Sequence, residues 1–333
     1  MIILSFNEIG LVIAALFPAI ALMIYIFKKD RAEKEPIGLI LLLFFAGVVI
    51  AEPAGWVEGF VSPIISGIFS NTGYVEDGTR YLGTVPYYIY TFLDNFFGVA
   101  LIEEGFKFIA LFFLTYKNKN FNSLFDGMVY SVAVSLGFAA IENVMYAFSY
   151  GWGIVLMRMI LSVPAHMFFS VLMGYFYSFW NVFRHVDVLE KDAKQKGMIS
   201  ASKKPINKGK QLALAIIVPT IIHGFFDFCL SADSTFFIVV FYIFVIVLYF
   251  FCFMRIHKFS KSDVMYGHLL LTVFLKRNQN VLQFVRSEAF QHNLTSKGLE
   301  DTREMLNTYY TLTFDADPNE ETSLEALMHE ATE

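Results

Sequence analysis

Residues 95–114 decide the fold of this chain, and they read NFFGVALIEEGFKFIALFFL. The stretch is long and apolar enough to cross a bilayer, yet Glu103, Glu104 and Lys107 lie near its centre. One charged side chain at the centre of a membrane helix costs about 2.5–3.5 kcal/mol, so such groups persist where they pair and face a polar interior. At about 100° per residue, Lys107 projects between the two glutamates. The spacing therefore predicts an ion-paired functional cluster inside a membrane.

The composition indicates a polytopic membrane protein. Of the 333 residues, 56% are hydrophobic and 17% are charged, whereas a soluble domain has about 45–50% apolar and about 25% charged residues. We predict an all-α bundle of about seven membrane-spanning helices. The predicted spans are residues 9–27, 37–56, 86–115, 126–149, 152–181, 211–231 and 235–256. The apolar residues 57–70 fit either a re-entrant or an interfacial segment.

Lysine and arginine are distributed unevenly between the connections. Seventeen of them lie in residues 28–35, 116–125, 182–210 and 255–262, whereas the alternate connections hold only Arg80. Because cytoplasmic loops carry the excess of positive charge, we predict an outside N-terminus and a cytoplasmic C-terminus. The basic segment 182–210 then lies beside anionic lipid, and we expect no nucleic-acid partner.

The chain divides into a membrane domain, residues 1–256, and a cytoplasmic tail, residues 257–333. Apolar positions recur at helical spacing over residues 264–311, which indicates short helices there. The acidic end, residues 315–333, contains no lysine or arginine and has the composition of a disordered segment.

Further ionisable or polar side chains occur in the three spans that follow the glutamate pair. They are Glu142, Asn143, Arg158, His166, His223 and Asp227. With a helical rise of about 1.5 Å per residue and the predicted orientation, they lie between the bilayer midplane and its outer leaflet. We expect them to converge with the glutamate pair.

Glutamates and histidines that meet inside a membrane indicate three kinds of function. A glutamate can act as general base on water while a histidine binds an oxyanion or protonates a leaving amine. His166 and His223, with Glu103 or Glu142, also make a ligand set for zinc, which again leads to hydrolysis. A ladder of such groups carries ions or protons in transporters, although this chain lacks the two similar halves of many transporters. In a non-catalytic membrane scaffold, the same side chains would only stabilise the bundle.

For a hydrolase, the catalytic residues are predicted to be Glu103, Glu104, His166 and His223. Glu103 or Glu104 activates the water, and Lys107 keeps the two carboxylates ionised. The histidines bind the oxyanion, donate a proton to the leaving amine, or hold zinc.

Four residues are predicted to support this chemistry. Glu142 and Asn143 position the water or the substrate backbone, and Arg158 either neutralises Glu142 or anchors its helix near the membrane interface. Asp227 lies one turn after His223 and orients that ring by a hydrogen bond.

Motifs in successive spans resemble the PrsW family of intramembrane proteases. Residues 103–107 (Glu-Glu-x-x-Lys) are similar to its first motif, and residues 126–130 (Asp-Gly-x-x-Tyr) with 137–143 (Gly-Phe-x-x-x-Glu-Asn) to its second. Residues 164–166 (Pro-x-His) and 223–227 (His-x-x-x-Asp) resemble its histidine motifs. The wider superfamily of prenyl-protein (CAAX-type) endopeptidases has Glu-Glu-x-x-x-Arg in the first motif, so the lysine spacing favours the PrsW side.

The resemblance implies an endopeptidase of the bacterial plasma membrane with a core at residues 86–232. The best-known members of the family make the first cut in a membrane-spanning anti-sigma factor, near the outer surface. A membrane-spanning protein is therefore the implied substrate. The resemblance leaves open whether the mechanism is glutamic or depends on a metal such as zinc.

Overall fold

The computed structural model describes residues 5–30, 34–76, 79–195, 207–261 and 273. Its helices are α1 Phe6–Lys29, α2 Ile37–Ile68, α3 Thr84–Leu93, α4 Leu101–Thr115, α5 Asp126–Tyr150, α6 Trp152–Ile160, α7 Ser162–Gln195, α8 Lys208–Ser231 and α9 Thr235–Lys261. A π-helical segment, Asp94–Ala100, joins α3 to α4. Strands β1 (Tyr74–Glu76) and β2 (Thr79–Tyr81) form a short antiparallel hairpin in which Tyr74 pairs with Tyr81. Apart from this hairpin, the predicted all-α fold is confirmed.

Six helices of the described chain are long and apolar enough to cross a membrane. They are Phe6–Lys29, Ile37–Ile68, Asp126–Tyr150, the run Trp152–Val188 that combines α6 with most of α7, Lys208–Ser231 and Thr235–Lys261. Large apolar side chains are exposed on their outer faces, as Phe236, Ile246 and Phe250 are on α9, which is the pattern of a surface that faces lipid. The predicted span 86–115 corresponds to α3, the π-helical segment and α4 in one helical run. Seven spans and the orientation stay predictions.

Helix α2 is longer than the predicted span 37–56. It continues without interruption to Ile68, with Pro53 and Pro63 inside it. The structure thus has neither a re-entrant nor a separate interfacial segment beginning at residue 57. A helix of 32 residues is about 48 Å long, whereas the hydrocarbon core is only about 30 Å thick. Its last turns therefore extend the wall of the bundle beyond that core, or the helix tilts.

The predicted fifth span, residues 152–181, is two helices. Helix α6 ends at Ile160, α7 begins at Ser162, and Leu161 lies between them. Pro164 lies in the first turn of α7, where its missing N–H costs no helical hydrogen bond. The tail helices predicted over residues 264–311, and the acidic end, lie outside the described residues.

Helix α5 is the centre of the bundle. Every residue from 126 to 140 is buried, and the helix contacts α1, α2, α4, α6 and α7. The close contacts depend on glycine, because a methyl group on Gly137 would overlap the Phe44 carbonyl of α2. One on Gly174 of α7 would overlap the Gly127 carbonyl. Small residues at helix crossings allow such backbone approach in membranes, and α5 thereby holds α2 and α7 against its two sides.

Candidate active site

The π-helical segment lies just before the glutamate pair, and some of its side chains face the same cavity as Glu103. Asn95, Val99 and Glu103 line the same cavity, and at intervals of four residues they lie on one side of the helical run. The Asn95 amide donates to the Thr91 carbonyl (2.7 Å), and its Oδ1 accepts from Ser231 Oγ (3.2 Å). These contacts join the segment to the end of α8. Single-turn π segments are frequent at functional sites.

Lys107 is fully buried and donates to three acceptors. Its Nζ lies 2.9 Å from Glu103 Oε2, 2.8 Å from Glu104 Oε1 and 3.0 Å from His166 Nδ1. An ammonium group has three N–H donors and no acceptor, so this arrangement uses all of them. The Phe138 ring lies under the same ammonium at 4.3 Å. The predicted ion-paired cluster is therefore present, and it extends to a histidine of another helix.

The contact with Lys107 determines the tautomer of His166. Because the ammonium can only donate, Nδ1 of the ring accepts, and Nε2 carries the proton of a neutral imidazole. This protonated Nε2 lies 3.1 Å from Glu142 Oε2. The Arg158 Nη2 atom lies 2.9 Å from the same oxygen. Arg158 thus pairs with Glu142, which is the first of the two roles predicted for it.

His223 is held between carboxylates. Its Nδ1 lies 3.0 Å from Glu104 Oε1, and its Nε2 lies 3.1 Å from Asp227 Oδ2 and 4.0 Å from Glu103 Oε2. The ring stacks on Phe169 at 4.7 Å between centroids. Contacts on both nitrogens and on one face fix the orientation of the imidazole.

A cavity of about 510 Å³ opens beside this cluster. The predicted site residues on its wall are Glu103, Glu142, Arg158, His166, His223 and Asp227. Glu104 and Lys107 lie behind that wall, fully buried. The other carboxylate oxygen of Glu104, Oε2, is buried and has no hydrogen-bond partner in the described part of the chain. Glu104 is therefore connected to the cavity wall directly by His223, and by Lys107 to Glu103 and His166.

Asn143 is directed away from the cavity that it was predicted to serve. Its Nδ2 donates to the Ala15 carbonyl of α1 at 2.9 Å. Its Oδ1 accepts from Arg158 Nε at 3.3 Å. The side chain therefore joins α5 to α1 and steadies the arginine that pairs with Glu142.

Three of the cavity residues form a donor set suited to a metal. Glu103, His166 and His223 offer ligand atoms that all lie within 4.8 Å of one another, and all three residues are buried. Two imidazoles and one carboxylate match the preference of zinc, which in catalytic sites leaves a further position for water. The hydrogen bond of His223 to Glu104 is of the kind that orients a metal-binding ring. Both nitrogens of His166 and both nitrogens of His223 have partners, so each ring gives up one contact when it binds an ion.

Several wall residues were not predicted from the sequence. The most consequential is Glu58 of α2, which lines the cavity together with Ala51 and Gly55. Their spacing places them on one helix face, but the apolar residues from 57 onward predict a separate segment, which divides this face. Tyr146 also lines the wall, with the Arg158 guanidinium 4.1 Å from its ring centre.

Comparison with known proteins identifies the family of this chain. A family model described as PrsW family intramembrane metalloprotease matches residues 35–254. The chain belongs to this PrsW family. Protease PrsW of Oceanobacillus iheyensis is 31% identical over 224 residues, which cover 67% of this chain and 84% of that protein.

Other bacterial relatives agree with this assignment. Protease PrsW of Bacillus subtilis is 29% identical over 225 residues, 68% of this chain and 84% of that protein. Protease PrsW of Clostridioides difficile is 28% identical over 271 residues, 79% of this chain and 97% of that protein. No solved structure matches the chain. This PrsW-family protein is a peptidase, and its apolar helices and bacterial relatives are those of a multi-pass bacterial membrane protein.

Proposed function

We propose that this protein hydrolyses a peptide bond of a membrane-spanning regulator such as an anti-sigma factor, in the bacterial plasma membrane and near its outer surface. The observation that carries the proposal is the buried set Glu103, His166 and His223, with ligand atoms within 4.8 Å of one another on a cavity wall. The predicted orientation, which places these residues in the outer half of the bilayer, supports a cut on that side.

Glu103, His166 and His223 are proposed to hold a divalent metal, and zinc suits their donor set. When bound, such an ion polarises the scissile carbonyl and makes the attacking water more acidic. The carboxylate of Glu103 and the two rings are already fixed by Lys107, Glu104 and Asp227.

Glu142 is proposed to be the general base, because it is the wall carboxylate beside His166 that the metal set leaves unused. It takes a proton from the attacking water and passes it to the amide nitrogen as the carbon–nitrogen bond breaks. Its ion pair with Arg158 at 2.9 Å keeps it ionised and oriented between turnovers.

The test is cleavage of a single-span anti-sigma-type substrate by the purified protein in detergent. Wild type is expected to release a fragment, and Glu142→Gln to release at least about 100-fold less. Glu52→Gln is the matched control, because Glu52 is an exposed residue of α2 that bonds to Trp56 (2.9 Å) and does not line the cavity. Activity of Glu142→Gln equal to wild type would remove Glu142 from the mechanism.

Metal analysis separates the metal-dependent from the glutamic mechanism. Wild type and Glu142→Gln are expected to retain one zinc per chain, whereas His166→Ala and His223→Ala lose it. A chelator should then abolish cleavage, and added zinc should restore it. Full cleavage by a zinc-free protein would instead make Glu103 the general base of a glutamic protease.

A further inference from the structure

Glu58 is the charged side chain of the cavity wall that has no partner. Within the described residues it forms no hydrogen bond or ion pair, whereas Glu103, Glu142 and Asp227 each pair with a cation or a histidine. The charges near it are the carboxylates of Glu103 and Glu142, opposed by Lys107 and His223. A carboxylate among other acids in a medium of low dielectric constant is costly until a cation pairs with it.

The packing of α2 directs Glu58 toward the cavity. Ala51 and Gly55 precede it on the wall, and one turn later Ser62 approaches Gly98 of the π-helical segment, where a methyl group would lie 3.2 Å from Ser62 Oγ. These positions are three to four residues apart and form one face of the helix. The carboxylate is thus presented to a substrate by a packed helix.

We propose that Glu58 forms a subsite for a lysine or arginine side chain of the membrane-spanning substrate. This inference rests on the proposed function and adds a specificity determinant to it. The ammonium or guanidinium group would pair with the free carboxylate, and the aliphatic stem would lie along apolar wall residues such as Met145 and Leu230.

The charge around the cavity favours a basic group over an acidic one. Five carboxylates lie in the wall or directly behind it: Glu58, Glu103, Glu104, Glu142 and Asp227. The permanent cations among them are Lys107 and Arg158. The set therefore remains negative even with one bound divalent metal ion, and it repels an acidic side chain at the same position.

The predicted orientation gives such a subsite discriminating power. Outer ends of membrane spans carry few lysines or arginines. A basic residue close to the outer end of a span is thus uncommon. A single carboxylate is enough to select substrates that carry one.

Binding and cleavage of designed peptides test the subsite. The probes are fluorescent single-span peptides. Each carries Lys, Gln or Glu at one position, and the series places that position at successive sites along the outer end of the span. Wild type is expected to bind the best Lys peptide about tenfold more tightly than its Glu counterpart. Glu58→Gln should lose this preference and Glu58→Lys should invert it, while Glu52→Gln, the control on the same helix, keeps it.

The two readouts distinguish this inference from the proposed function. Loss or inversion of the preference in the Glu58 variants, with unchanged thermal unfolding, supports the subsite whether or not the peptides are cut. A preference that survives in folded Glu58→Gln overturns the subsite, as does equal or absent binding of all three peptide types. Cleavage by wild type without any charge preference would leave the protease and remove only the subsite.

Discussion

Lys107 Nζ of α4 lies 3.0 Å from His166 Nδ1 of α7, and this contact joins the glutamate motif to the first histidine. The same ammonium holds Glu103 and Glu104. One cation therefore positions two carboxylates and selects the tautomer of a ring on a different helix. An arginine has a planar fork of donors and does not reproduce this three-way contact.

Replacing Lys107 should be among the most damaging single changes in the bundle. In Lys107→Met, both carboxylates lose their buried cation, and breaking a buried pair in this way costs about 3–5 kcal/mol. We expect a much lower unfolding temperature in detergent and no cleavage. Lys117→Met, at an exposed position just beyond the same helix, is the control and should unfold like wild type. Equal stability of the two variants would contradict the role given to this ion pair.

Asp227 should act on the reaction through His223, because its Oδ2 lies 3.1 Å from Nε2 of that ring. We expect Asp227→Asn to lower zinc affinity or kcat about 10–100-fold, the usual effect of removing a carboxylate that supports a metal-binding ring. A merely structural role would change the unfolding temperature without changing zinc affinity. Asp227→Glu should recover part of the affinity, and titration with a zinc indicator measures each variant.

The sequence predicted which side chains come together better than it predicted the shape of the cavity. Side chains at helical spacing, such as Glu103 with Lys107 and His223 with Asp227, contact each other because their own helix brings them together. Their convergence with His166 was foreseen only from depth. Charged residues within a membrane span strongly predict contacts with other polar groups, since they persist only where they are paired.

The features that the sequence did not reveal depend on packing between helices. The π-helical segment 94–100 has no distinctive composition, and it is visible only in the hydrogen bonds of the backbone. Glu58 was missed because the apolar residues around it fit a surface segment as well as a helix. Asn143 lies beside Glu142 in sequence, yet the two side chains point about 100° apart. Both contact Arg158, but Asn143 also bonds to α1 whereas Glu142 contacts His166 of α7.

The contact between α2 and α5 should be intolerant of even one methyl group at Gly137. Alanine normally stabilises a helix by about 1 kcal/mol relative to glycine. At Gly137 the new methyl would overlap the Phe44 carbonyl, so we expect Gly137→Ala to destabilise the fold by about 1–3 kcal/mol. Gly153→Ala is the matched control, because no atom lies within 4 Å of a methyl group there. The unfolding temperature of Gly137→Ala should be well below that of Gly153→Ala, and the reverse order would contradict the close crossing of α2 and α5.

The connection between α1 and α2 should make stability depend on pH. Glu35 is buried there, 4% exposed, and accepts a hydrogen bond from Tyr130 at 2.6 Å. Burial raises the pKa of this carboxyl from 4.5 to about 9, and the nearby charges of Asp126 and Asp30 add to the effect. Between these two values the folded protein retains a proton that the unfolded chain releases.

Glu35 therefore stabilises the folded protein at low pH and loses this effect at high pH. The contribution of neutral Glu35 is complete below pH 4.5 and is lost as the pH rises through about 9. We expect Glu35→Gln, which cannot ionise, to unfold near the wild-type temperature at pH 5 and at a temperature several degrees higher than wild type at pH 9. Unfolding curves from pH 5 to pH 9 measure both proteins. Parallel curves would show that Glu35 is ionised in the folded protein and that its burial is compensated by another group.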